Sequence, residues 1–165
     1  MKLRRLFKHL ITPDWLAQRR FPAAARAEIA AAVADSERRH RGEICIVIEG
    51  PLPLSLLWQD VSPRQRALEH FALRRVWDTE ENSGVLIYVQ LIDRCVEIVA
   101  DRGIAKRVPQ TAWDEMCRDL EAALRAGRWK EGILATIGQA TRLLAAHFPA
   151  RQENPNELPD MPWVR

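Results

Sequence analysis

The chain has 165 residues, of which 47% are hydrophobic and 28% are charged. This length and balance fit a single globular domain with a real core, and they exclude a disordered or fibrous protein. The net charge of +3 is uneven, because residues 1–41 carry ten Lys or Arg against four Asp or Glu while the remainder is net acidic. No apolar run reaches the roughly 18 residues of a membrane span, and cations interrupt any secretory signal near the start. We therefore expect a cytoplasmic protein, which can also lie peripherally at the inner membrane.

Two predicted helices occupy the N-terminal quarter. Leu3, Leu6, Phe7 and Leu10 follow an i, i+3, i+4, i+7 spacing with cations between them, which predicts a short amphipathic helix. Such a helix over residues 1–11 can lie on anionic lipid or dock on its own domain. A longer helix is predicted from about residue 21 to residue 39. Residues 1–41 are thus a helical extension that belongs to the same globule.

The middle of the chain alternates between strands and helices. Residues 43–49 form a β-branched, apolar run typical of a strand that is covered on both faces. A loop over residues 50–61 leads to a helix over residues 62–77, followed by apolar strands over residues 85–91 and 95–100. We expect the apolar side chains of the 50–61 loop to contact either a partner or the N-terminal helices.

Two helices and a tail complete the predicted order. The helices run from about residue 112 to 126 and from about 128 to 147, and the proline-rich tail over 149–165 is extended or mobile. Residues 42–148 then form an α/β/α sandwich on a small mixed central sheet. Its βαββαα core includes a parallel strand pair joined by a crossover helix, and the N-terminal helices are additional.

Strong catalytic motifs are missing from the sequence. It contains no phosphate loop, no dinucleotide fingerprint, no His-Glu-x-x-His and no nucleophile elbow. His9 and His40 lie in cationic stretches and are expected at the surface, and His70 is also expected near the surface rather than as a ligand. The cysteines of the strands are expected to be small core residues. No motif indicates specific nucleic-acid binding.

A group of oxygen-bearing side chains is the remaining candidate site. If residues 93 and 94 form a two-residue turn, Asp101 lies opposite Leu86 and returns to the loop that precedes the second strand. Asp78, Glu81, Asn82 and Asp101 then share one end of the sheet, and such oxygens suit calcium or magnesium. The alternative is that these side chains only satisfy turn amides or remain solvated. The carboxyl ends of the parallel strands, where ligands of open α/β sheets prefer to bind, lie at the other end.

Several ordered elements resemble the TPM domain family, which is named for thylakoid-lumen, photosystem-repair and membrane-modulator proteins. Residues 77–89 combine a Trp, an acidic loop with Asn82 and an apolar strand, and residues 94–104 follow the family's Arg-x-x-x-Ile-Glu element. Residues 126–132 resemble the family's Gly-Asp-Tyr element between the last two helices. The resemblance covers about residues 43–148.

The resemblance implies an α/β/α sandwich, divalent-cation binding in some members, and partners among LemA-type membrane proteins. It also implies acid phosphatase activity, as in a plant member. Carried over residue by residue, the matched loop positions are Asp78, Glu81, Asn82 and Asp101. Two hypotheses follow: a non-catalytic accessory or scaffold domain that binds a divalent cation and joins a membrane-protein complex, or a metal-dependent acid phosphatase.

Overall fold

A computed structural model of the chain describes residues 3–151 and 155–165. The helices of this part are α1 (Leu3–Ile11), α2 (Leu16–Arg20), α3 (Ala23–Glu37), α4 (Leu54–Trp58), α5 (Pro63–Leu73), α6 (Arg102–Ala105), α7 (Gln110–Arg125) and α8 (Trp129–His147). The strands are β1 (Glu43–Glu49), β2 (Gly84–Gln90), β3 (Cys95–Ala100) and β4 (Trp163–Val164). Met1 and Lys2 of the predicted first helix, and residues 152–154 of the predicted tail, lie outside the described residues.

One mixed sheet organises the molecule, with the strand order β3-β2-β1-β4. β1 runs parallel to both β2 and β4, and β3 is antiparallel to β2. The helix α5 provides the crossover between β1 and β2, as the sequence predicts. Every residue of β1 and β2 is buried, which explains why both strands read as continuous apolar runs.

Helices cover both faces of this sheet. Ile44, Ile46 and Ile48 of β1 pack in the larger core together with α3, α7 and α8. The alternate residues Cys45 and Val47 pack in a smaller core with α5 and the C-terminal segment. Because side chains of a strand alternate between faces, a strand that is apolar at each position needs two cores. The predicted α/β/α sandwich with its βαββαα core is confirmed.

The predicted register of the β2–β3 hairpin is wrong. Gln90 pairs with Cys95, so the loop has four residues rather than two, and Asp101 lies opposite Gly84 rather than Leu86. The Gln90 side chain causes the longer loop, because its Oε1 accepts hydrogen bonds from the backbone N–H groups of Ile92 and Asp93.

Two further elements differ from the expectation. The crossover helix ends at Leu73 instead of residue 77, and the chain then passes so close to β2 that a Cβ on Gly84 would lie 1.9 Å from the carbonyl oxygen of Val76. The end of the tail forms β4, in which Trp163 pairs with Val47. A two-residue strand that follows several prolines has no periodicity to reveal it, so the sequence predicts only an extended segment.

Candidate functional site

The acidic loop and the start of α6 lie together at the amino end of β2. The backbone N–H of Asp101 donates to the carbonyl of Gly84 at 2.8 Å, and that of Gly103 donates to the carbonyl of Asn82 at 3.1 Å. Gly103 has to be glycine, because a Cβ there would lie 2.5 Å from the carbonyl oxygen of Glu81. Three of the four predicted ligands, Glu81, Asn82 and Asp101, therefore lie together, and we call this group the acidic turn. The fourth, Asp78, has its carboxylate 2.6 Å from Arg75 Nη2 instead.

Arginine side chains neutralise this turn. The carboxylate of Glu81 pairs with Arg41 and, at 2.7 Å, with Arg151. The hydrogen bond from Arg41 is the main cause that lowers the pKa of Glu81 below its ordinary value. The Oδ1 atom of Asn82 accepts from Arg102 Nε at 2.7 Å. The oxygens that the sequence assigns to a cation are thus largely engaged by guanidinium groups.

Asp101 differs from its neighbours. Its side chain is only 9% exposed, and Oδ1 accepts the backbone N–H of Arg102 at 2.7 Å, which caps α6. Its Oδ2 is buried and has no hydrogen-bond partner. Across residues 3–151 and 155–165, no group of three or more His, Cys, Asp or Glu side chains is placed to hold a metal ion. While the arginines occupy these positions, the Oδ2 atom of Asp101 is the buried oxygen that the group offers to a cation. Calcium or magnesium binding at this group therefore stays a prediction.

A buried Ser-His pair is a feature that the sequence analysis misses. His40 is fully buried rather than at the surface, and its Nδ1 accepts the N–H of Gly42 at 3.2 Å, which leaves the proton on Nε2. This Nε2–H donates to Ser36 Oγ at 2.8 Å, and Ser36 donates onward to Thr141 at 2.7 Å. Burial lowers the pKa of His40 to about 4. The imidazole is therefore a donor to this serine and not its base.

A second buried network lies at the carboxyl end of β1. The Glu49 carboxylate accepts hydrogen bonds from Arg66, the shortest at 2.6 Å, and from the hydroxyl of Tyr88 at 2.7 Å. His70 also contradicts its expected surface position, because it is 2% exposed, stacks on Tyr88 and lies 3.5 Å from Glu49. Although burial alone would raise the pKa of Glu49, the nearby His70 ring and the hydrogen bonds from Arg66 and Tyr88 lower it to about 2. This network satisfies a buried charge between α5 and the sheet.

The helix α1 covers the same carboxyl edge through its polar side. His9, expected at the surface, is 3% exposed, and its Nδ1 accepts the backbone N–H of Leu52 at 2.9 Å. Asp93 of the β2–β3 loop receives Arg5 Nε at 2.8 Å and faces His9 Nε2 at 3.3 Å. Docking of the N-terminal helix on its own domain, one of the two open alternatives, is thus what the structure shows.

The apolar side of α1 faces solvent as a consequence. We call this surface, with the neighbouring exposed residues of α4, the α1–α4 face. Its members are Leu3, Phe7, Leu10 and Ile11 of α1 and Leu54 and Trp58 of α4. The two helices pack against each other. The expectation for the 50–61 loop is met in part, because Leu52 and Leu57 are buried while Leu54 and Trp58 remain exposed.

Open clefts lie on the surface of the described residues. One of about 500 Å³ lies between α7 and α8 and includes Asp119, Glu131 and Thr136 in its wall. Two others, of about 370 and 410 Å³, flank α1, and both include Lys8 and Asp93. No helix of the described ranges is long and apolar enough to cross a bilayer.

Most of the chain matches the model of one protein family. Residues 18–143 match the family model of the TPM domain. This match includes the whole sheet apart from β4, and it begins before the range 43–148 on which the sequence resemblance rests. No curated protein matches the chain.

Solved structures share the fold. The NMR structure of the BA42 protein from the psychrophilic bacterium Bizionia argentinensis is 28% identical and superposes with a TM-score of 0.75, covering 86% of this chain and 92% of that one. The solution structure of the N-terminal domain of a P. gingivalis protein is 16% identical, with a TM-score of 0.63 and coverage of 79% and 82%. At that identity the second likeness concerns the fold alone.

Proposed function

The chain belongs to the TPM domain family, and on that premise we propose that it is a non-catalytic accessory or scaffold domain that associates with a membrane-protein complex. The observation that carries this proposal is the α1–α4 face, where a helix turns its apolar side to solvent. Large exposed apolar surfaces are typical of interaction sites in soluble domains. The proposed partner is a membrane protein of the LemA type or a comparable one, met from the cytoplasmic side of the inner membrane.

The state of the buried histidines supports an accessory role. His40 donates to Ser36 and accepts from Gly42, so its two nitrogens serve the backbone and the core. His9 holds the backbone of Leu52, and His70 stacks within the Glu49 network. A general base has to reach a substrate proton, whereas these rings are closed off by packing.

Co-purification with a defined partner tests the association. The tagged full chain is co-expressed with a LemA-type membrane protein, and the complex is isolated in mild detergent. We expect the two proteins to elute together and Phe7→Glu to separate them, because Phe7 is 63% exposed and contributes to the α1–α4 face. A matched Leu73→Glu variant, equally apolar and 72% exposed but on α5, should keep the complex intact.

Two results would contradict the proposal. If the chain elutes without the LemA-type protein, the proposed complex does not form. Release of phosphate from a small phosphomonoester with added magnesium, lost in Asp101→Asn, would establish the phosphatase instead, because it would place chemistry at the acidic turn.

A divalent cation at that turn is the second component of the proposal. The unpartnered, buried Oδ2 of Asp101 supports it, and the side chain of Asn82 would join only by releasing Arg102, which is exposed. We therefore expect weak calcium or magnesium binding that strengthens in Arg102→Ala. Thermal melting with each ion and with chelator measures this, since a ligand at 100 times its Kd adds about 2.7 kcal/mol. If neither protein changes its melting temperature on addition of calcium, magnesium or chelator, cation binding is ruled out, and the proposed accessory role is unaffected.

A further inference from the structure

The orientation of α1 is fixed by charge. Its inward side carries Arg5 and His9, which meet Asp93 at 2.8 and 3.3 Å. Asp93 itself is mostly buried, with 14% of its side chain exposed. Burial alone would raise the pKa of this carboxyl, but the nearby His9 ring and the hydrogen bond from Arg5 outweigh it and lower the pKa. An amphipathic helix held by its polar side necessarily presents its apolar side outward.

That outward side is continuous along the helix. Leu3, Phe7 and Leu10 are separated by four and three residues and so form one stripe, with Ile11 next to it. Their exposed fractions lie between 55% and 77%, which is unusual for four large apolar side chains of one nine-residue helix. Trp58 of the adjacent α4 is 68% exposed and widens the surface.

Cations border this stripe. Arg4 and Lys8 follow Leu3 and Phe7 by one residue each, and both are exposed. On a helix of 3.6 residues per turn they lie between the apolar stripe and the docked side. An apolar stripe with Lys or Arg along its border is the pattern of a helix that lies in the headgroup region of a bilayer. Residues 1–41 as a whole also carry an excess of positive charge, like the border of the stripe.

We infer that the α1–α4 face binds the surface of an anionic lipid bilayer, with α1 parallel to the membrane plane and Phe7 and Trp58 inserted. This inference rests on the proposed function and names the surface that the complex would share with the membrane. The positive border selects the bilayer over a second copy of the chain, because two such faces in contact would bring their arginines and lysines together.

Vesicle flotation with the full chain tests the inference. Vesicles of phosphatidylcholine alone are compared with vesicles in which half of the lipid is phosphatidylglycerol. We expect binding to the anionic vesicles only, weakened by salt because surface charges are screened. Phe7→Glu and Trp58→Glu should each lower the binding constant at least tenfold, since each loses a buried aromatic side chain. Arg4→Gln with Lys8→Gln should lower it about 30-fold, at roughly 1 kcal/mol for each cation near the surface.

Leu73→Glu is the matched control, and it should float as the unmodified chain does. No binding to anionic vesicles, or equal binding by Phe7→Glu, would overturn the inference. A chain that is dimeric without lipid and becomes monomeric in Phe7→Glu would assign the face to a second copy. Circular dichroism of each variant confirms that it is folded.

The outcome is separable from that of the proposed function, because the vesicles contain no protein partner. Flotation without co-purification would keep the lipid surface and remove the membrane-protein complex. Co-purification without flotation would keep the complex and assign the α1–α4 face to the protein partner alone.

Discussion

Burial of individual ionisable side chains gives this protein a particular response to pH. Burial raises the pKa of Glu37 to about 8, even though its Oε1 accepts the backbone N–H of Ile44 at 2.8 Å. Burial also raises the pKa of Glu43. Both carboxyls are therefore more easily protonated in the folded state than in the unfolded chain, and His40, whose pKa is lowered to about 4, is less easily protonated.

The sign of each contribution follows from these shifts. A raised carboxyl pKa stabilises the fold below the unfolded value near 4.5, and this stability is lost as the pH rises towards 8. The lowered pKa of His40 acts oppositely: its contribution is complete above 6.5 and is lost as the pH falls towards 4. Between pH 6.5 and 8 Glu37 dominates, so we expect the free energy of unfolding to decline there.

Glu37→Gln isolates this contribution. The amide keeps an acceptor for Ile44 and cannot ionise, so the variant should be more stable than the unmodified chain at pH 8, by about 4 kcal/mol. The difference should shrink as the pH approaches 4.5. Urea unfolding at several pH values measures it, with Glu28→Gln, an exposed position of the same helix, as control. A difference independent of pH would contradict the assigned shift.

At the scale of single elements, α1 depends on one loop residue. Asp93 accepts the hydrogen bond from Arg5 Nε and faces the His9 ring at 3.3 Å, so its replacement removes the acceptor of Arg5 and the carboxylate opposite His9. Asp93→Ala should therefore weaken the docking of α1 by about 2 kcal/mol, since hydrogen bonds to charged groups contribute roughly that much.

Hydrogen exchange measures this local loss. The amides of α1 should exchange about 30-fold faster in Asp93→Ala, while those of the central strands should change little. Asp14→Ala is the control, because Asp14 is an exposed aspartate in the same quarter of the chain. Faster exchange in the sheet with unchanged α1 amides would show that Asp93 supports the hairpin rather than the helix.

The elements also show what a sequence can and cannot predict. β1 and β3 follow directly from their apolar runs, and the structure has both strands with the predicted bounds. The buried positions of the histidines are not predictable in this way. Histidine burial depends on contacts that are distant in the chain, as when Thr141 completes the Ser36–His40 pair or the N–H of Leu52 reaches His9.

The candidate functional surfaces are also predicted only in part, because local patterns do not show contacts between distant segments. The spacing of Leu3, Phe7 and Leu10 predicts an amphipathic helix, but only the tertiary position of Asp93 decides that the apolar side faces outward. The residues of the acidic turn are likewise predicted to lie together, whereas the ion pair of Arg41 with Glu81 and the hydrogen bond from Arg102 to Asn82 join positions about 40 and 20 residues apart. A local pattern identifies candidate metal ligands, but it does not show which distant side chains already bind to them.

At the scale of the whole molecule, the C-terminal segment is tied to β1, and α1 is tied to the loops that follow β1 and β2. The strand β4 places a C-terminal edge beside β1, where Gly50 N–H donates to the carbonyl of Arg165 at 2.6 Å. Trp163 secures this edge, because its ring lies 5.2 Å from that of His70 and receives the Arg74 guanidinium at 4.3 Å. Because β4 pairs directly with the central strand β1, a disturbance of the C-terminal segment reaches the centre of the sheet.

We therefore expect Trp163→Ala to destabilise the entire domain and not only its tail. A half-buried Trp with a ring contact and a cation contributes about 2 kcal/mol, which for a domain of this size lowers the melting temperature by roughly 4 to 8 °C. Tryptophan fluorescence and far-ultraviolet circular dichroism should still report one coincident transition. Trp58→Ala, which removes an exposed ring, should leave the melting temperature almost unchanged. Two separate transitions in Trp163→Ala would mean that the C-terminal strand unfolds on its own, and that β1 is stable with α1 and β2 alone.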